Sequence, residues 1–176
     1  MFPRIETERL KLREITEEDA ATIFDLFSNE DVTRFYGQEP LKDIAQANKL
    51  VDSFSINYKE KRGIRWGIER KGTNSLIGTI GFNAWMPKHK RAEIGYEIHP
   101  EYWRKNYTSE AVLKVVSYGF EVMDLTRIGA VVFIENEASN KLLIKIGFQK
   151  EGILRDYMYQ HGKAHDTYVY SLLRNN

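Results

Sequence analysis

Hydrophobic and polar positions change period several times along the chain, and each change predicts an element. In residues 5–15, Leu10 and Leu12 alternate with Lys11 and Arg13, the pattern of a half-buried first strand. Thr16 follows, with Asp19 three residues later in a capping-box arrangement. Ala20, Ile23, Phe24 and Phe27 then recur at helical spacing. Residues 28–40 mix turn formers with Phe35 and Tyr36 and read as a loop holding one short helical turn. Ile44, Ala47, Val51, Phe54 and Tyr58 form a second helical stripe that closes before Gly63. Residues 65–70 and 76–84 predict two strands joined by a hairpin turn at residues 71–75.

The most informative stretch is residues 93–112. Ile94, Tyr96 and Ile98 alternate with Glu93, Gly95, Glu97 and His99, and Pro100 ends this strand because it has no N–H for a ladder. Val112, Val115, Val116, Gly119, Phe120 and Met123 then mark a helix, with Asn106, Thr108 and Ser109 all suited to its N-cap. A strand, a turn and a helix start expose unpaired N–H groups at the positive end of a helix dipole, which suits a pyrophosphate. An ordinary helix entry with no ligand answers the same pattern. Residues 127–134 form an apolar run that reads as a strand buried on both faces. A short helix closed by Gly147 follows, then strands at 152–159 and 165–173 around a turn at 160–163. No repeat, linker or low-complexity segment interrupts residues 1–176, which predicts one domain.

Composition narrows the chemistry. A net charge of +1 gives no overall electrostatic case for nucleic acid or an anionic membrane. The basic run Lys88-His89-Lys90-Arg91 suits either a solvated loop or a contact to an acidic group. The absence of cysteine excludes structural disulfides, thiolate metal sites and a thiol nucleophile. His161 and His165 flank a Gly162 turn with no carboxylate-rich motif, so no metal site is expected. No long apolar run occurs at the start or elsewhere, which makes a cytoplasmic protein the default expectation.

Three motifs, in order, resemble the GNAT superfamily of N-acetyltransferases, and within it the ribosomal-protein serine/alanine N-acetyltransferases. The first is T-E-R-L-x-L-R followed by T-x-E-D-A near the start. The second is Tyr102-Trp103-Arg104-Lys105-Asn106-Tyr107-Thr108-Ser109-Glu110-Ala111, against the usual Y-W-G-K-G-Y-A-T-E-A. The third is N-x-x-S from Asn136 to Ser139, with Gly147-Phe148 and Glu151-Gly152 beyond it. The chain departs from the pattern at both usual glycines, where it has Arg104 and Asn106. Asn tolerates positive φ better than most residues, and Arg104 adds a charge that can meet a phosphate.

The resemblance implies an α/β (α+β) GNAT fold. Its central sheet is mixed but mostly antiparallel, with about seven strands, splayed between the fourth and fifth, and helices flank it. Acetyl-CoA is the implied cosubstrate. The backbone from Arg104 through Lys105, Asn106, Tyr107 and Thr108 to Ser109 would cradle its pyrophosphate. The strand edge at Ile98 and His99 would pair with the pantetheine amides, and Asn136 would bond the pantetheine or a water, or simply turn the chain. Ser139 is the implied hydrogen-bond donor to the departing sulfur, or else a helix cap. Glu93 is a candidate base acting through water. One subgroup member uses a penultimate-strand glutamate; Met158 stands at the matching position here.

With no cysteine, the amine must attack acetyl-CoA directly in a ternary complex. An α-amine near pKa ~8 loses its proton at neutral pH more readily than a lysine near ~10.4, a difference of roughly 3 kcal/mol. The leading expectation is therefore transfer to a peptide or protein α-amine, ribosomal proteins being the class the resemblance names, by a monomer or homodimer. Two alternatives stand beside it. One is acetylation of a small amine, an aminoglycoside or polyamine, with Glu30, Asp31, Glu39 and Glu97 available for an acidic pocket. The other is a non-catalytic coenzyme A-binding module.

Overall fold

The computed structural model describes residues 1–175. Its framework is an eight-stranded sheet in the order β1-β2-β3-β4-β5-β6-β8-β7. All neighbours are antiparallel except β5 and β6. The expected first strand is two strands, β1 (Ile5–Glu6) and β2 (Leu10–Glu14), folded back on each other with Ile5 opposite Leu12. The break has a visible cause. Thr7 closes the turn onto Leu10, and Thr7 and Arg9 both reach Glu110 far along the chain.

A single 3-10 turn at Glu17–Asp19 leads into α1 (Ala20–Ser28), with Thr16 N–H bonded to Asp19 Oδ2 at 2.9 Å. The one-turn α2 (Glu30–Thr33) and the longer α3 (Ile44–Lys59) follow, as the stripes predict. Strands β3 (Ile64–Arg70) and β4 (Leu76–Met86) flank the expected hairpin turn, and β5 (Arg91–Ile98) pairs with β4 along its length. Then come α4 (Tyr107–Glu121), β6 (Arg127–Phe133) and α5 (Glu137–Ile146), the last closed by Gly147 at φ 112°. The chain finishes with β7 (Gln149–Gln160) and β8 (Lys163–Leu173). Both are longer than the sequence pattern suggested, because register shifts in their ladder break the simple alternation.

Two apolar clusters lie on opposite faces. Under α4 and α5, the larger joins Leu10, Leu12, Ile94 and Ile98 to Val112, Val115, Ile128 and Val132. Under α1 and α3, the smaller joins Ile15, Ile23, Phe27, Val51 and Leu76. Trp66 is fully buried in the first cluster and gives its indole N–H to Pro3 O at 2.9 Å.

β5 and β6 pair over three positions only: Arg91 with Arg127, Ala92 with Ile128, and Glu93 with Gly129. Beyond these, β5 stays with β4 to Ile98 and β6 stays with β8 to Phe133, so the sheet divides into two wings. The splay implied by the resemblance is present.

Glu110 ties the α4 entry to the first hairpin. It accepts from Thr7 Oγ1 at 2.6 Å, Arg9 N at 2.8 Å and Arg9 Nε at 2.7 Å. Partial burial opposes the charge, but these three donors outweigh it and hold the carboxyl below its ordinary pKa. A depressed carboxylate stabilises the fold above the unfolded-state pKa, and that contribution fades as pH falls through the folded value. Glu110→Gln is therefore expected to cost about 1–2 kcal/mol at pH 7, roughly 2–8 °C in thermal midpoint. The gap from wild type should narrow in acid, measured by thermal unfolding from pH 7 to pH 3.

Candidate active site

The turn before α4 is held in an uncommon backbone conformation. Arg104 and Asn106, at the two usual glycine positions, adopt φ 59° and 63°. Asn106 is the N-cap by position, although its side chain accepts no capping bond. Thr108 and Ser109 fall inside the first turn of the helix. Among the described residues, the N–H groups of residues 104–109 meet no acceptor; Glu110 N–H, bonded to Asn106 O at 3.1 Å, is the first amide satisfied. Arg104, Lys105 and Asn106 are exposed, so these donors face open space. Lys105 Nζ lies 5.7 Å from the Tyr102 ring centre, with Arg70 at the same distance from that ring. Open amides, a helix N-terminus and two flanking cations suit a pyrophosphate.

The gap between β5 and β6 opens beside this turn. Antiparallel pairing alternates the direction of backbone groups. His99 N–H bonds Ile77 O at 2.8 Å on the β4 side, so the expected amide at His99 is already engaged. Its imidazole also turns away, to 3.4 Å from Asp25 Oδ2, lining a cavity of about 220 Å³ with Thr22 and Glu101. Alternation directs the backbone of Tyr96 and Ile98 into the gap, with Ile98 O already accepting from the Trp103 indole at 2.7 Å. The edge available to an extended ligand is thus centred on Tyr96 and Ile98.

Across the gap, Asn136 caps α5, its Oδ1 accepting from Ser139 N–H at 3.3 Å. Ser139 is not the cap: its hydroxyl instead bonds the Tyr96 hydroxyl at 2.7 Å. Asn140 fixes this end of α5 through Phe133 O, Ile134 O and Asn136 O, while accepting from Tyr170 at 2.6 Å.

Glu93, Gly95 and Glu97 share the opposite face of β5. Glu93 is half-buried at the closed end of the gap, opposite Gly129. Glu97 is buried, four residues nearer the open end, or about 13 Å at strand rise. Its Oε2 accepts from Thr79 at 2.6 Å and faces Arg65 at 3.4 Å. Its Oε1 has no bonded partner among the described residues. Burial pushes the Glu97 pKa up, against the pull of Arg65 and Thr79. Arg65 reaches across from β3 because its neighbours in register, Gly81 and then Gly95, carry no side chains. A Cβ at Gly95 would lie 3.5 Å from Arg65 Nη2. Tyr36 joins this cluster from the α2–α3 loop, its phenol pKa raised by burial and by Glu97.

The same loop is fastened to the β7–β8 hairpin by Gln160, which bonds Gly37 N, Thr33 O and Gln38 O. Phe35 packs on Phe133, and Met158 lies against Gly37, as a packing residue. The four acidic residues suggested for a small-amine pocket do not converge. Glu39 pairs with His161, Asp31 with Arg34, and Glu30 is exposed. Arg65 and Tyr96 escaped the sequence reading as site residues, and Glu97 entered it only as one candidate for an acidic pocket. The legible signals were an arginine and a glutamate inside apolar strands; in register Arg65 faces Gly81 and Glu97 faces Thr79.

A match to the acetyltransferase (GNAT) domain family spans residues 9–149. The chain is 61% identical over 174 residues to YoaA of Bacillus subtilis (strain 168), an uncharacterised N-acetyltransferase, covering 99% of this chain and 98% of that protein. It is 29% identical over 155 residues to the spermidine N(1)-acetyltransferase of Escherichia coli (strain K12), covering 88% and 80%. Among solved structures, RimL, a ribosomal L7/L12 α-N-protein acetyltransferase in complex with coenzyme A, superposes with a TM-score of 0.87 at 20% identity, covering 97% and 98%. The chain belongs to the GNAT acetyltransferases, and it is an acyltransferase by that membership.

The turn gives a direct test of its strain. Asn106→Gly is expected to fold as well as wild type. A β-branched Asn106→Val should lose about 1–2 kcal/mol at φ 63°, read by denaturant unfolding.

Proposed function

We propose that this protein transfers acetyl from acetyl-CoA to the α-amine of a peptide or protein, a ribosomal protein in the cytoplasm being the favoured acceptor. The observation that carries the acetyl-CoA reading is the run of unsatisfied amides at residues 104–109 beside a gap in the sheet. In this reading the amides hold the pyrophosphate and the pantetheine runs along Tyr96 and Ile98 into the gap. Asn136 stands close by as the cap of α5. The neutral amine attacks the thioester carbonyl from the Glu97 face. The C–N bond forms, the C–S bond breaks, and the amine proton passes to a carboxylate directly or through water. Ser139 donates a hydrogen bond to the departing sulfur.

Two observations support a singly charged acceptor over a polyamine. Two carboxylates on this face are matched by arginines, Glu97 by Arg65 and Glu151 by Arg127. The sequence motifs also resemble those of ribosomal-protein acetyltransferases. The spermidine-acetylating relative keeps the polyamine reading as the alternative. Thiol release scored over a panel of N-terminal peptides, spermidine and an aminoglycoside separates them. Peptide-selective turnover is expected, and preferential turnover of spermidine would replace this reading with the alternative.

Arg104→Gly keeps the turn and removes the charge. It is expected to weaken acetyl-CoA about threefold to tenfold by calorimetry, the size of one exposed phosphate contact, with no loss of thermal stability.

Glu93 and Glu97 are the carboxylates on the attacking face. With its pKa raised, a base at Glu97 puts the acid limb of kcat/KM above that of an ordinary glutamate, with activity rising as the group ionises. Glu97→Gln should abolish that limb and Glu93→Gln should retain it; the reverse pattern would assign the proton to Glu93.

A further inference from the structure

The Tyr96–Ser139 contact joins the two wings of the sheet. Tyr96 lies on β5 three residues past its last pairing with β6, and Ser139 lies on α5 immediately after β6. Their hydroxyl oxygens are 2.7 Å apart, and neither makes another hydrogen bond among the described residues. Two hydroxyls carry two protons and their mutual bond uses one, so one O–H remains uncommitted. The neighbouring phenol, Tyr170, is already bonded to Asn140.

Both partners are held rigidly. Asn136 secures the Ser139 amide, the three Asn140 bonds fix the first turn of α5, and the Tyr96 ring packs against the main core. Side-chain donors fixed in advance around a point where charge develops are the usual source of electrostatic catalysis.

We infer that Tyr96 is a second catalytic hydroxyl, acting with Ser139 as a paired donor to the sulfur of the leaving coenzyme. The inference rests on the acetyl-transfer reading above and assigns its leaving-group chemistry. Before the thioester arrives, the two hydroxyls satisfy each other across the gap. When the sulfur arrives beside both oxygens, the hydroxyl protons turn from each other to make two O–H···S contacts. As the C–S bond breaks, its electron pair moves onto sulfur, where both hydroxyls stabilise it.

The proton stays on the hydroxyls. Burial pushes the Tyr96 phenol up to about 12, whereas a thiol ionises near ~8.5, so full transfer is uphill. The amine proton leaves on the carboxylate face, and the thiolate gains its own proton from solvent after release. The nearby Glu97 charge raises the phenol further and strengthens its preference to remain a donor.

A thiolate held by two donors has a depressed pKa, and this can be read without turnover. Coenzyme A is bound to the protein and its thiol titrated by thiolate ultraviolet absorbance, with affinity measured in parallel by calorimetry. In wild type the bound thiol should ionise at least one pH unit below free coenzyme A. Tyr96→Phe and Ser139→Ala should each raise it part of the way back, with affinity within about threefold and kcat lower by about tenfold to a hundredfold. The double variant should lose less than the product of the single losses, because both hydroxyls serve one sulfur. A bound thiol in Tyr96→Phe that titrates as in wild type, at full affinity, overturns the inference and leaves the acetyl-transfer reading standing. Failure of wild type to bind coenzyme A overturns both. Should Tyr96→Phe fail to fold, Ser139→Ala decides: an unshifted thiol pKa there removes the hydroxyl pair from the mechanism.

Discussion

Backbone hydrogen bonding is compulsory in a protein interior, and where β5 parts from β6 this fold leaves part of it unmet. After Glu93 and Gly129, β5 and β6 stop exchanging bonds while each remains fully paired on its other side. The parted edges keep donors and acceptors that an extended amide-bearing ligand can complete. The rest of the molecule supports this opening. Two apolar clusters on opposite faces fix the two wings, and α4 and α5 bring polar groups to its rim.

The turn before α4 shows how one geometry tolerates different residues. A positive φ is needed at two positions, where glycine is the least costly choice. Here Arg104 and Asn106 take those angles. The turn is anchored from outside by Glu110, whose oxygens are held by Thr7 and Arg9 of the first hairpin. Arg9 also stacks on Tyr107, 4.2 Å from its ring centre. Two segments that looked like independent motifs in the sequence are thus halves of one hydrogen-bonded unit. The arrangement also places a cation beside Glu110, which moderates that carboxylate next to a site suited to an anion.

The two faces of β5 carry different polar groups. Tyr96 looks toward Ser139 of α5, while Glu97 looks toward Arg65 and Thr79. Successive side chains of a strand point in opposite directions, so adjacent residues can serve opposite ends of one reaction. The pairing of Arg65 with Glu97 depends on two glycines in register, an arrangement spread over three strands.

Much of this was legible from local pattern. Period-two and helical stripes located most elements, Pro100 and Gly147 marked their ends, and the turn before α4 was legible because it depends on contiguous residues. The broken first strand was not legible, since its cause is Glu110, a hundred residues away. Nor were the roles of His99, Ser139 and Glu97. The His99 amide is claimed by β4, Asn136 relieves Ser139 of capping, and Glu97 is buried by a partner on β3. The sequence by itself determined most of the elements, the missing thiol chemistry and the place of the turn before α4, because these rest on neighbours in the chain. Only the tertiary structure decided which polar groups remain unpaired around the gap, because that depends on strand register and on contacts between residues far apart in sequence.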